Sequence, residues 1–403
     1  MSRLAVAVVV TRLQAGAGGV ALRGAVALDP DRYQVTIIAG DTDGVADADG
    51  SGDRLLTRAA EAGLRVGSLP DLVSPISPRK DSRCLHLLTE HLAQVGYDVV
   101  HTHSAKAGAL GRLAAERAGT PRVVHTFHGF PFHEFQSSAR RAAYVGIERY
   151  LGRRTDVFLA VGGAVAAEAV RRGIAAPERV RVINPAIDWP DAQASAAARD
   201  AARRRLGVPV GCKIVGTVGR ADYQKAPESF VDAIAELDRP DVYAVWIGDG
   251  PLRREMEQRA DRRGLRGRFI CAGHRDDVPQ LLPGLDVFAM ASRYEGLPCA
   301  VAEAMMAGLP VVATAVNAVP DVVLPGETGL LASPEQPHQL AAAIRYMLDS
   351  PAEAARMAAA GRRLITDRFT PEALAAVLDA AYGSGVSSPP RSRRYVAALA
   401  RPA

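Results

Sequence analysis

Two carboxylates with seven residues between them, Glu295 and Glu303, stand in SRYEGLPCAVAEAMMAGLPVVAT, residues 292–314. Gly296 and Pro298 force a turn after the first, and a helical pattern from about Cys299 carries the second. A strand expected over 287–290 feeds this turn. The loop therefore falls at the carboxyl end of a parallel strand, where open α/β sheets bind ligands. The helix behind it turns free N–H groups and a positive dipole end to the same place, which suits a diphosphate. A carboxylate on that helix can accept hydrogen bonds from two neighbouring ribose hydroxyls.

A second anion-binding pattern comes earlier. A strand expected over 213–218 ends in Gly219 and Arg220, and five residues on Lys225 opens a helix through Pro227 and Glu228. Two cations there can neutralise a leaving diphosphate. Taken alone, an R-x4-K pair reads first as two solvated surface charges.

Five of the nine histidines, His101, His103, His125, His128 and His133, crowd into residues 99–136. His101 and His103 share one face of a strand end, which invites zinc. No third ligand has dependable spacing, so no metal is expected, and a packed, hydrogen-bonded role is expected for both. His128 precedes Gly129 at a strand end, where an imidazole can position a substrate and stabilise charge at a reacting centre. A core histidine is the bland alternative.

Gly16, Gly18 and Gly19 follow the first strand and, with Ala21, formally fit G-x-G-x-x-A, the dinucleotide-binding fingerprint. Five residues separate strand end from first glycine, whereas a nucleotide-binding turn is tight. Asp41-Thr-Asp43 and Asp47-Ala-Asp49 spell D-x-D, but in a Gly- and Asp-rich run that reads as a solvated loop.

The elements that must hold these residues alternate. Short apolar runs are expected as strands over 4–10, 34–39, 97–101, 122–126, 157–161 and 181–183, then 213–218, 242–247, 268–271, 287–290 and 310–313, with Ala-rich helices between. This is the pattern of two parallel α/β units, which 403 residues can fill. The linker NPAIDWPDAQASAAARD separates them. Helices are expected over 337–348 and 351–366, and another after Thr370-Pro371. The composition GSGVSSPPRSRR marks a disordered tail.

A net charge of +5 raises the question of an anionic partner. It is unevenly placed: residues 1–190 carry +4, residues 191–382 carry −3, and residues 383–403 carry +4. Residues 136–154 hold five arginines against Glu148, with Tyr144, Ile147 and Leu151 at helical spacing on one side. Such a helix could rest on anionic lipid or merely turn a basic face to water. Cys84, Cys212, Cys271 and Cys299 lie far apart, so a reducing compartment is expected. No run reaches the roughly 18 apolar residues a membrane span needs, and 4–10 is too short for a signal-peptide core with a cleavage site.

Four blocks in order, VGRADYQKAPE, WIGDGPLRREMEQRA, GHRDDVPQLL and DVFAMASRYEGLPCAVAEAMMAGLPVVAT, resemble the donor half of the family 4 retaining glycosyltransferases. The likeness runs over about 213–314 without a gap and continues weakly through PGETGLLASPE. It implies an α/β, GT-B architecture of two Rossmann-like, doubly wound domains facing across a cleft. Residues 1–187 would bind the acceptor, 188–370 the nucleotide-sugar, 371–382 would form a helix returning to the first domain, and 383–403 a basic tail. By the same resemblance Arg220 and Lys225 grip the diphosphate, Glu303 holds the ribose, and Glu295 contacts the sugar with Gly296, Leu297 and Pro298 near the phosphate. Gly273, His274 and Arg275 lie against the base. One departure is NAVPD, residues 317–321, where many relatives have paired glycines and a Glu, so the local loop is expected to differ.

In the first half, VVHTHSAKAGALGRLAAERAG and RVVHTFHGFPFHEFQ resemble members that build bacterial surface glycans, and put the family's functional histidine at His128. Gly18 and Gly19 would let their loop approach the donor phosphate or the acceptor. The implied reaction needs no metal or cofactor. A nucleotide-diphosphate sugar, UDP preferred, is the donor, and a glycan, a polyprenyl-diphosphate-linked glycan or a small molecule is the acceptor. A cytoplasmic protein with peripheral contact at the inner membrane face is expected, and nucleic acid drops out as a partner. A GT-B-fold sugar-nucleotide epimerase stays open, to be told by epimerised donor formed without acceptor. A non-catalytic glycan-binding relative would be expected to have lost Glu295, Glu303, Arg220 or Lys225, and all four are present.

Overall fold

Runs such as LAVAVVV have no alternation, and their strands are buried on both faces, as a parallel sheet covered by helices on each side requires. The computed structural model describes residues 3–13, 16–40, 51–133, 135–187, 189 and 195–383. The chain divides into two compact units, one built from residues up to Ala186 together with the segment from Phe369, the other from Ile187–Arg368.

The first unit contains strands β1 (Leu4–Val10), β2 (Tyr33–Gly40), β3 (Arg65–Leu69), β4 (Val99–His103), β5 (Arg122–Phe127), β6 (Val157–Ala160) and β7 (Val180–Val182). They form one parallel sheet in the order β3-β2-β1-β4-β5-β6-β7. Its helices are α1 (Ala17–Ala27), α2 (Ser51–Glu61), α3 (Pro78–Val95), α4 (Ala105–Ala118), α5 (Ser138–Gly152) and α6 (Gly163–Arg171). Leu88 and Leu92 of α3 meet Leu110 and Ala114 of α4 and Val100 of the sheet in one core.

The second unit holds α7 (Ala196–Leu206), β8 (Lys213–Val218), α8 (Pro227–Glu236), β9 (Val242–Ile247), α9 (Arg253–Arg262), β10 (Phe269–Gly273), α10 (Val278–Leu281), β11 (Val287–Met290), α11 (Cys299–Met306), β12 (Val311–Thr314), β13 (Leu330–Ala332), α12 (Pro337–Asp349) and α13 (Pro351–Arg368). Its sheet runs β10-β9-β8-β11-β12-β13, all parallel. Renumbered within the unit this is 3-2-1-4-5-6, the order of dinucleotide-binding sheets. Phe230, Ile234, Trp246, Met256 and Ile344 fill its core.

The last helix, α14 (Pro371–Gly383), belongs to the first unit. Leu374 and Leu378 lie against Gly24 of α1. Asp379 accepts from Tyr33 Oη at 2.5 Å and pairs with Arg32 at 2.7 Å, and Arg122 Nε donates to Ala381 O at 3.0 Å.

Two strands escape the sequence pattern, β3 and β13. Both are edge strands, partly exposed and three to five residues long, so neither has an apolar run to announce it. The strand expected over 97–101 starts two residues later, and just before it the Asp98 carboxylate accepts from Ala5 N at 2.8 Å, tying the amino ends of the central strands β1 and β4. The D-x-D run 41–49 and the basic tail beyond Gly383 lie outside the described residues. No helix among the described residues is long and apolar enough to cross a membrane.

Candidate active site

In each sheet the winding reverses between two adjacent central strands, β1 and β4 in the first unit and β8 and β11 in the second. Ligands of such sheets bind beyond the carboxyl ends at this point. In the second unit Val215 and Gly216 pair with Val287 and Phe288, so the loops leaving β8 and β11 emerge side by side. Lys225 and Glu295, seventy residues apart in sequence, meet there: Nζ donates to Oε1 at 2.5 Å.

Glu295 is 7% exposed and its carboxylate is fully engaged. Ser292 Oγ donates to Oε1 at 2.7 Å and Gln224 Nε2 to Oε2 at 3.1 Å. Its backbone N–H donates to Asn317 Oδ1 at 2.9 Å. Asn317 sits at φ +44°, a left-handed conformation that Asn tolerates better than most residues. The departure noticed in NAVPD is thus a support for Glu295. The spacing sets Lys225 beside Arg220 and Glu295 toward the sugar; the neighbouring strands β8 and β11 also bring Lys225 and Glu295 into one ion pair. Arg220 stands apart, its side chain 70% exposed and 3.9 Å from Asp222.

Arg293 holds this arrangement from behind. It is 9% exposed and donates to Tyr223 O at 2.8 Å, to Glu335 at 2.8 Å and to Glu228, while its guanidinium covers the Tyr223 ring at 4.2 Å. Trp246 Nε1 donates to Gly219 O at 2.9 Å, anchoring the other end of the Arg220 loop. Neither residue belongs to a spacing that announces it, because both act across the sheet.

Glu303 lies half-buried on α11, with Gly296 and Leu297 half-buried before it and Pro298 capping the helix. Gly273 closes β10 at φ +67°. His274 Nε2 is 3.0 Å from Asp276, and Arg275 makes a two-pronged contact with Asp277 at 2.7 Å. These side chains are tied to neighbouring acids within their own loop.

The first unit gathers its histidines at the carboxyl ends of β4 and β5. His101 Nδ1 is 2.7 Å from Tyr382 Oη and Nε2 is 2.7 Å from Thr126 Oγ1. His125 Nδ1 lies 2.9 Å from Thr102 Oγ1. His103 Nδ1 is 2.9 Å from His128 Nε2. His128, just past β5, is only partly buried, and Gly129 beside it takes φ +139°, which releases the chain from the strand. Burial pushes the His128 imidazole down to about 4, with Arg23 of α1 adding to it. Burial likewise holds His101 at about 3, and His103 and His125 well below the usual range. All four rings are neutral at pH 7. No group of three or more His, Cys, Asp or Glu among the described residues could hold a metal ion.

One expectation needs correction here. Gly18 and Gly19 are buried in the first turn of α1 rather than in an open loop. A Cβ on Gly18 would lie 2.7 Å from Arg12 O, so the glycine serves close packing of helix on strand end.

The basic helix also differs from its pattern. α5 buries Val145, Glu148 and Leu151 and leaves Ile147 and Tyr150 half-exposed, so the expected stripe of Tyr144, Ile147 and Leu151 is divided. Glu148, the one acid counted against its arginines, turns inward to Arg112 at 2.9 Å. The outward face therefore carries Arg140, Arg149 and Arg153 without an acid of its own.

Two doubly wound parallel sheets in one chain define the GT-B class, and a crystal structure of Anabaena HepE in complex with UDP has the same fold, with TM-score 0.77 at 21% identity over 94% of this chain and 100% of that one. Residues 15–189 match the model of Glycosyltransferase Family 4 and residues 198–364 that of glycosyl transferases group 1. The chain is 33% identical over 306 residues to a D-inositol 3-phosphate glycosyltransferase of Xylanimonas cellulosilytica, covering 72% of each. It is 31% identical over 267 residues to the UDP-Gal:alpha-D-GlcNAc-diphosphoundecaprenol alpha-1,3-galactosyltransferase of Escherichia coli, covering 65% of this chain and 69% of the relative. The chain belongs to glycosyltransferase family 4 and is a glycosyltransferase.

Proposed function

We propose that this enzyme transfers a sugar from a UDP-sugar, with retention at the anomeric carbon and without a metal, to a lipid-linked glycan or a small hydroxylated acceptor. The observation that carries the reading is the Lys225–Glu295 pair at the switch point of the second sheet. Glu295 pins the ammonium before any donor arrives, so little reorganisation is needed when the glycosidic bond breaks and its electron pair passes to the diphosphate. The positive dipole ends of α8 and α11 and the exposed cation of Arg220 add to that stabilisation. Glu303 holds the ribose, Gly273, His274 and Arg275 face the base, and His128 acts on the transferring sugar as a neutral hydrogen-bonding group. A UDP-containing structural neighbour and a relative named for UDP-Gal support the choice of nucleotide. Relatives named for a diphosphoundecaprenol and for inositol phosphate support the two acceptor classes.

Thermal unfolding against UDP-glucose, UDP-galactose, GDP-mannose and ADP-glucose tests the donor. A UDP-sugar at about one hundred times its Kd adds about 2.7 kcal/mol of stability. Glu303→Gln weakens two charged hydrogen bonds to the ribose and is expected to raise the donor KM by about 10–100-fold. An unchanged KM in that variant removes the ribose role, and stabilisation by GDP- or ADP-sugars alone removes UDP.

The outward face of α5 supports peripheral contact with an anionic bilayer, where each cation near the surface is worth about 1 kcal/mol. Sedimentation with phosphatidylglycerol vesicles is expected to weaken by about 100-fold in Arg140→Ser/Arg149→Ser/Arg153→Ser, at about fivefold per cation. Equal binding to phosphatidylcholine vesicles, or no effect of the triple variant, would sink that contact.

A further inference from the structure

Three histidine rings, His101, His103 and His128, touch in series at the carboxyl ends of β4 and β5. His103, the last residue of β4, is buried to 3% exposure. Its ring lies beside His101, with centroids 4.2 Å apart, and its Nδ1 edge meets the edge of His128, whose centroid is 5.1 Å away and whose plane is 29° from parallel. His101 is held at both nitrogens, by Tyr382 Oη and by Thr126 Oγ1. His128 is held at one, Nε2, by His103 Nδ1. Its Nδ1 has no partner among the described residues.

We infer that His103 is a positioning residue for the transfer reaction, fixing the ring orientation and the tautomer of His128, and that Tyr382 of α14 braces His103 through His101. The inference rests on the reading of His128 as the group that meets the sugar. A hydrogen bond between two neutral imidazoles contains one N–H. With the proton on His103 Nδ1, His128 accepts at Nε2 and carries its own proton on Nδ1. With the proton on His128 Nε2, His103 carries its own on Nε2 and His128 Nδ1 is a bare acceptor. The two rings must therefore share one tautomer, and His128 cannot change the valence it turns to its ligand unless His103 changes with it. Such outer partners orient a reacting imidazole as they do a metal-bound one. Burial keeps both rings neutral, the condition under which this coupling holds.

The bond reaches across adjacent strands, and the brace comes from the far end of the chain. Neither HTH nor HGF spacing announces it. α14 thus has a catalytic reason to return to the first unit, beyond covering α1.

The test combines spectroscopy and kinetics on the full-length protein. In ¹⁵N-histidine spectra, His128 is expected to show separate protonated and bare nitrogens in the wild type and averaged ones in His103→Leu. With whichever of UDP-glucose and UDP-galactose turns over faster, measured as UDP release, His103→Leu is expected to lose about 10–100-fold in kcat, with donor KM within about twofold, because misplacement rather than binding is at fault. In the His128→Ala background it should cost nothing more. His103→Gln, whose amide can donate and accept, should recover part of the loss. Tyr382→Phe keeps the ring and should lose about three- to tenfold in kcat. Should His103→Leu fail to fold, His103→Gln and Tyr382→Phe are compared in the His128→Ala background instead.

A fixed tautomer and unchanged kcat in His103→Leu, or losses that multiply with His128→Ala, overturn the inference while leaving the glycosyl-transfer reading in place. A His128→Ala enzyme with wild-type kcat overturns the role of His128 itself, and this inference with it.

Discussion

Lys225→Met is expected to lower UDP-sugar turnover by about 10²–10³-fold, the loss typical of removing a pre-positioned group that stabilises developing charge. In this protein the loss has two parts. The leaving diphosphate no longer meets the cation, and it now faces the Glu295 carboxylate, which keeps only Ser292 and Gln224 as side-chain donors. A second substitution, Glu295→Gln, removes that repulsion and should return part of the activity to Lys225→Met. The fold should survive, because the pair lies at the end of the sheet and outside the core built on Phe230 and Trp246. UDP release and thermal unfolding on the same samples separate the two effects. Turnover within threefold of wild type would remove Lys225 from the reaction, and a double variant worse than the single would show that Glu295 itself acts on the substrate.

Glu148→Ala should be strongly destabilising although it lies outside the site. Arg112 and Glu148 join α4 to α5 with both side chains almost wholly buried, the guanidinium also donating to Gly108 O at 2.7 Å. Arg112 Nη1 is already buried without a hydrogen-bond partner among the described residues. Deleting the carboxylate leaves a buried cation uncompensated, at a cost of about 3–5 kcal/mol. That corresponds to a fall in Tm of roughly 10 °C for a unit of this size. Arg112→Met/Glu148→Leu replaces both charges with apolar volume and should unfold close to the wild-type temperature. If Glu148→Ala matches wild type, the pair carries no stability; if the double variant is as damaged as the single, the loss comes from packing rather than from charge.

The family resemblance reached the donor unit because its signals are local. Gly219, Arg220, Lys225, Glu295 and Glu303 fall within loops and helix starts whose turn residues and neighbouring apolar runs are contiguous in the chain. Strands such as Leu4–Val10 and Lys213–Val218 were legible for the same reason, since parallel strands buried on both faces are continuous apolar runs. β3 and β13 were not, because an edge strand can be short and partly wet. The glycines after β1 were misplaced into a loop because composition does not distinguish an open turn from a helix packed tightly on a strand end.

Amino-acid order alone determined the class of this protein, its two α/β units, and which cations and carboxylates stand at strand ends. Hydrophobic period and turn chemistry act over a few residues, and the sequence carries them directly. Tertiary structure decided who meets whom: Lys225 with Glu295, Asn317 with the Glu295 amide, Arg112 with the one acid of a basic helix, and Tyr382 with the histidines of β4. Those pairings depend on strand order and on where the last helix docks. Strand order follows from how the whole sheet buries its faces, a balance over many residues that no single spacing records.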